Sequence, residues 1–140
     1  MSTEPTHAHL QIGQVAERTE LSIKTIRHYD EVGLVRPSAR SAGGFRLYTE
    51  ADIARLLVIR RMKPLGFTLE QMRELLAALD TVDDASADSA RFAEATGVLR
   101  ECRASAQERC ETLRRQLAYA EEFTELLATS SAVLVERKSR

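Results

Sequence analysis

The chain of 140 residues contains no tryptophan, and aromatic residues make up only 5% of it. Its core must therefore be filled largely by Leu, Ile, Val and Ala, which suits an α-rich fold. Two cysteines are too few for a disulfide framework, and the expected compartment, the cytoplasm, keeps thiols reduced. No apolar run approaches the length of a membrane span, and the opening MSTEPTHAHL lacks the apolar stretch of a signal peptide. No membrane partner is expected. A Ser/His/Asp set, a phosphate loop and carboxylates clustered on one face are all missing, so no enzyme is expected. Gly43-Gly44 is not followed in register by the lysine and helix of a phosphate cradle. A cysteine quartet for an iron–sulfur centre is missing as well. No cofactor is expected.

What is there is unevenly distributed. The net charge of −1 conceals two halves of opposite sign. Leu10 to Lys63 holds ten Lys/Arg against six Asp/Glu, while Ala77 to Arg140 holds nine against twelve. The basic half favours contact with an anion. It contains TIRHYDEVGLVRP, which sets Arg27, His28 and Tyr29 side by side just before a Gly-Leu and a proline.

Residues 1–9 have no periodicity and are expected to form a flexible arm. Ile12, Val15 and Ala16 then mark a short amphipathic helix from about Gly13 to Arg18, with Gly13 as its N-cap. Ser22 caps a second helix that runs to about Val32. Ile23 and Ile26 should point inward with Tyr29 partly beside them. Lys24, Thr25, Arg27 and His28 take the outer face. Gly33 supplies the left-handed residue that ends this helix, and Pro37 prevents its resumption. Two short helices across a tight turn make a helix-turn-helix whose second member would enter a major groove.

The following SARSAGGFRLYT predicts a β-hairpin wing from Arg40 to Tyr48, turned at Gly43-Gly44 and carrying Arg40, Arg46 and Tyr48. Thr49 to Asp52 forms a capping box for a third helix to about Leu65, which Gly66 closes and whose last turn Pro64 should weaken or kink. Thr68 to Gln71 forms another box, opening a fourth helix through Met72, Leu75, Leu76 and Leu79. DTVDDASAD, residues 80–88, is expected to be a linker. A long helix should follow over 89–128, where Leu99, Ala106, Leu113, Ala120 and Leu127 recur every seven residues, flanked by Cys102, Cys110, Leu117 and Phe123. Forty residues at ~1.5 Å each give a rod of about 60 Å whose apolar seam one copy cannot bury alone. A second copy is the economical partner. Residues 129–140 are an ambiguous tail. The expected fold is thus all-α with a small β-hairpin wing: a winged helix-turn-helix domain over 10–79 and a long C-terminal dimerisation helix.

The strings IGQVAERTELSIKTIRHYDEVGLVRP, GGFRLYTEADIARL and IRRMKPLGFTLEQMRELL, in this order and spacing, resemble the MerR family of bacterial transcription regulators. The resemblance covers Leu10 to Leu79 motif by motif, and the long helix by architecture alone. It implies a homodimer held by an antiparallel coiled coil. It also implies a pseudo-palindromic operator on double-stranded DNA within a promoter spacer, and bending and undertwisting of that spacer so that RNA polymerase engages both promoter elements. By position it implies base or phosphate contacts from Lys24, Thr25, Arg27 and His28, and phosphate contacts from Tyr29, Arg40, Arg46, Tyr48, Arg60 and Arg61. The seven-residue repeat and its flanks place Leu99, Ala106, Cys110, Leu113, Leu117, Ala120 and Leu127 in the dimer seam. The family often has tyrosine where His28 stands, and Pro64 replaces an expected charged residue.

Plainer roles compete with these. Tyr29 and Tyr48 also suit core positions, Arg60-Arg61 suits a solvated face, and Met62 and Met72 suit core filling. His7 and His9 sit on the arm as a bare histidine pair. Cys102 and Cys110 are candidate thiol or metal ligands. They lie ~12 Å and ~80° apart on one helix, too far to chelate together, since zinc needs each sulfur at ~2.3 Å. An antiparallel partner with its axis near Ala106 would set Cys102 of one chain against Cys110 of the other. A thiol- or metal-responsive regulator and a coiled-coil adaptor without DNA binding are the alternative functions.

Overall fold

The computed structural model describes residues 9–139, apart from the side chain of Val133. The arm expected over 1–9 therefore lies, but for His9, outside the described residues. The elements follow in the order β1 (Leu10–Gln11), α1 (Ile12–Thr19), α2 (Ile23–Glu31), β2 (Ala39–Arg40), β3 (Arg46–Tyr48), α3 (Glu50–Met62), a 3-10 turn (Lys63–Leu65), α4 (Leu69–Asp83) and α5 (Ser89–Ser139). This is an all-α chain with a small β wing and a long C-terminal helix. The chain divides into two compact units, Met1–Leu99 and Arg100–Arg140.

In the first unit, α1 packs on α2 and α3, and α3 on α4. Val15, Ile26, Leu56 and Ile59 are sealed between them, together with Val35 and Tyr48. Full burial of one such aliphatic side chain contributes roughly 1.5–3 kcal/mol. Most expected caps are present. Ser22 accepts the Thr25 N–H at 3.0 Å. Thr49 and Asp52 cap each other's N–H groups at 3.2 and 2.9 Å. Thr68 and Gln71 do the same at 3.1 and 2.9 Å. Gly33 and Gly66 take φ of 73° and 79°, the left-handed turns expected of them.

The structure corrects several boundaries. Gly13 lies inside α1, and the cap is Gln11, which forms a reciprocal box with Gln14. The hairpin expected at the wing is a three-stranded sheet, because β1 pairs antiparallel with β3 (Leu10 opposite Tyr48) on the side away from β2. Pro64 converts the last turn of the third helix into 3-10 geometry after Met62, since it has no N–H to continue the ladder. The helix α4 runs on to Asp83, so the break is confined to 84–88, where Asp84 accepts from the Ser86 N–H and hydroxyl at 2.9 and 2.6 Å. Ile23 is 38% exposed rather than inward. The tail is not separate, because α5 continues past residue 128 to Ser139.

Glu20, at the C-cap of α1, has φ of 59°, a left-handed conformation that strains a residue with a Cβ by about 1–2 kcal/mol. Glu20→Gly is expected to raise stability by about 1 kcal/mol, read as a shift in the urea midpoint at unchanged slope. A lower midpoint would show that the Glu20 carboxylate, 3.7 Å from Arg60 of α3, contributes more than the strain costs.

Candidate nucleic-acid interface

The helix α2 divides its residues by face. Ile26 and Tyr29 are buried, while Lys24, Arg27 and His28 are exposed and Thr25 is half-buried. The Thr25 hydroxyl lies 2.8 Å from that of Ser22, so it is already engaged in the cap. Beyond the helix, the Tyr29 carbonyl accepts N–H groups from Leu34 and Val35 at 2.8 and 3.2 Å, turning the chain sharply toward the wing. A Cβ on Gly33 would meet only the mobile end of the exposed Arg36 side chain, so the positive φ is what calls for glycine there.

The sequence-predicted wing arginines do not stand free. Asp30, near the end of α2, accepts from Arg46 Nε at 2.6 Å and from Arg40 Nη2 at 3.2 Å. Arg40 also donates to the Gly44 carbonyl at 3.3 Å, across the hairpin turn. The Asp30 carboxylate, chiefly through the hydrogen bond, raises the Arg46 guanidinium above its ordinary pKa. Asp30 thus pins the wing to the exposed helix. Beside Glu31, nothing in its local sequence sets Asp30 apart.

Arg60 is likewise occupied. Its Nη1 donates to the Thr19 carbonyl at 2.7 Å, capping the end of α1. Arg73 of α4, unassigned from sequence, donates to the carbonyls of Val32 and Gly33 at 3.1 and 3.2 Å at the end of α2. Arg61 and Lys63 are exposed. A groove of about 520 Å³ lies between α2 and the segment from Lys63 to Met72, and Lys24, His28, Tyr29 and Lys63 are among its lining residues. Lys63, also missed from sequence, is therefore brought alongside Lys24 and His28 of α2.

The two tyrosines separate. Tyr29 borders that groove, whereas Tyr48 is 0% exposed and its hydroxyl has no hydrogen-bond partner. Burial pushes both phenols above their usual pKa. For Tyr48 to touch a phosphate, its side chain would have to leave the core. Among the described residues, no group of three or more His, Cys, Asp or Glu is arranged to hold a metal ion. No helix among them is long and apolar enough to cross a membrane.

An exposed basic helix tied to a three-stranded wing and capped at its end by Arg73, beside a first helix capped by Arg60, defines a winged helix-turn-helix module. The family profile described as MerR HTH family regulatory protein matches residues 10–79, and that described as MerR, DNA binding matches 53–129. The chain belongs to the MerR family of regulators, which are not enzymes. It is 43% identical over 79 residues to the HTH-type transcriptional regulator HmrR of Rhizobium leguminosarum bv. viciae, a match spanning 56% of this chain and 60% of that protein. It is 36% identical over 119 residues to heavy metal-dependent transcription regulator 1 of Rhizobium meliloti (strain 1021), spanning 84% of this chain and 72% of that one. Among solved structures it resembles the transcription regulator PbrR691 from Ralstonia metallidurans CH34 in complex with lead(II), with a TM-score of 0.53 and 30% identity over 84% of each chain.

The orphaned hydroxyl yields a prediction. Tyr48→Phe removes a buried donor that lacks a partner, so stability should hold or rise by up to about 1 kcal/mol in denaturant titration. A loss of more than 1 kcal/mol would show that the hydroxyl meets a partner in solution.

Proposed function

We propose that this protein is a homodimeric transcription regulator that binds double-stranded DNA at a pseudo-palindromic promoter operator. It acts by bending and undertwisting the promoter spacer for RNA polymerase. The observation that carries the reading is the division of α2: Lys24, Arg27 and His28 face outward on a helix whose opposite face is sealed and whose far end is tied to the wing through Asp30. A rigidly held, basic helix of nine residues is suited to a major groove. In this reading Arg27 and Lys24 reach base edges. His28, Thr25, Tyr29, Arg61 and Lys63 lie toward the phosphates flanking the groove. Arg40, Arg46 and Arg60 contribute chiefly by positioning, since each already donates within the fold. One relative is heavy metal-dependent by its name, and one structural neighbour is in complex with lead(II).

Dimerisation is supported by the second unit. Leu113, Leu117 and Leu127 are 42%, 59% and 50% exposed, and they fall on one helical stripe with Ala106 and Ala120. A stripe of this kind is costly to leave in water. Two copies would present two α2 helices to half-sites about one DNA turn, ~34 Å, apart.

Three outcomes test the proposal. An operator recovered from DNA that copurifies with the protein should be bound with an affinity that falls steeply with salt, as counterion release requires. A coiled-coil adaptor would show no such binding. Arg27→Ala should cost about 1–3 kcal/mol on that operator and relax the preference at particular base pairs, measured by competition with single-substitution duplexes. An unchanged preference removes Arg27 as a base reader. Leu113→Asp should dissociate the dimer in sedimentation and weaken operator binding by at least tenfold, because one half-site then binds without the other.

A further inference from the structure

The middle of α5 repeats its own pattern in reverse. Along one face, Leu99, Cys102, Ala106, Cys110 and Leu113 are separated by three, four, four and three residues, so the face is the same read from either end. An antiparallel copy centred on Ala106 therefore meets itself position by position: leucine against leucine, thiol against thiol, methyl against methyl. Any other centre breaks this matching. Cys102 and Cys110 are both half-buried, and neither is in a disulfide.

We propose that a second copy of this chain docks with its two-fold axis at Ala106, so that Cys102 of each protomer faces the partner's Cys110 in two symmetric sites able to form intermolecular disulfides. The inference rests on the homodimer reading above and adds its register and a modification site. Each cysteine lies four residues, ~6 Å along the axis, from Ala106, one before it and one after. In the antiparallel pair, Cys102 and the partner's Cys110 stand at the same height. The residues at the crossing are small, Cys102, Ala106 and Cys110, which permits an interaxial distance near the ~8 Å lower end for helix pairs. At that distance the facing Cα atoms come to about 5–6 Å, inside the ~4.4–6.8 Å range of disulfides. Like cysteines cannot pair, because Cys102 and the partner's Cys102 are then ~12 Å apart along the axis.

The reaction partner is a small-molecule disulfide such as oxidised glutathione. The Cys102 thiolate attacks one of its sulfurs, breaking the S–S bond and releasing one glutathione thiolate, which takes up the proton Cys102 lost. The partner's Cys110 thiolate then attacks the protein sulfur of this mixed disulfide and expels the second glutathione as a thiol. Two protein thiols are oxidised by two electrons, and one glutathione disulfide is reduced to two thiols.

The experiment treats the full chain with oxidised glutathione, quenches with a maleimide and separates the products without reductant, with sedimentation of the untreated protein alongside. Wild type should convert to a covalent dimer, while Cys102→Ser and Cys110→Ser should each remain as single chains. Mixing the two variants and allowing subunit exchange should restore a cross-linked species carrying one bridge. Helix content by circular dichroism confirms that each variant is folded. A single variant that cross-links as wild type does places the axis elsewhere. Wild type that sediments as a dimer yet gives only glutathione adducts, or nothing, overturns the site while leaving the dimer intact. A monomer in sedimentation defeats the homodimer reading itself.

Discussion

The helices α1 and α2 have eight and nine residues, lengths at which a helix is not stable in water on its own. Everything else in the first unit answers that constraint. Each helix leaves orphan N–H groups at its start and carbonyls at its end. Gln11 and Ser22 satisfy the starts from within the local sequence. Guanidinium groups satisfy the ends from a distance: Arg60 of α3 on Thr19, and Arg73 of α4 on Val32 and Gly33. A cation at a helix C-terminus also opposes the negative end of the macrodipole. The two following helices therefore act as more than packing surface, since they close the helices that must stay exposed.

Asp30 extends this logic to the wing. It is mostly buried, accepts from two arginines and sits one residue beyond Tyr29. Two arginines on one carboxylate fix the geometry of the junction of α2 and β3. Positive charge and rigidity usually compete, because long basic side chains in water are mobile. Here the arginines nearest the wing are held, and Lys24 and Arg27, both exposed, extend from a helix that is itself pinned.

Much of this was legible in the sequence, because caps and left-handed turns have local chemical signatures. Ser22, the Thr49–Asp52 and Thr68–Gln71 boxes, Gly33 and Gly66 all stand where pattern placed them. The strand β1 has two residues and no alternation to detect, so the wing read as two strands instead of three. Gly13 looked like a cap because glycine tolerates that position, but Gln11 and Gln14 satisfy each other and move the boundary. Among the site residues, sequence identified the exposed cations of α2 by their face. It could not tell a free arginine from an occupied one. Arg40, Arg46 and Arg60 look alike as letters. Their partners, Asp30 and the Thr19 carbonyl, are ten, sixteen and forty-one residues away. Such distances are set by packing and carry no periodic signal.

The second unit poses the reverse problem, because its sequence is periodic and yet a single chain gives the stripe nothing to cover it. Leu113, Leu117 and Leu127 share one helical face but remain in water. A long exposed apolar stripe marks a surface that pairs with a partner, which is what the proposed dimer supplies. The small residues at its middle matter as much as the leucines. Large side chains at the centre would hold two helices apart, whereas cysteine and alanine let them close, so that leucines on either side can interdigitate. Self-pairing also changes what the first unit can do. One basic helix on a duplex gives little beyond nonspecific phosphate attraction. In the proposed dimer two such helices reach the same duplex, and the second engagement gains from proximity instead of from new contacts.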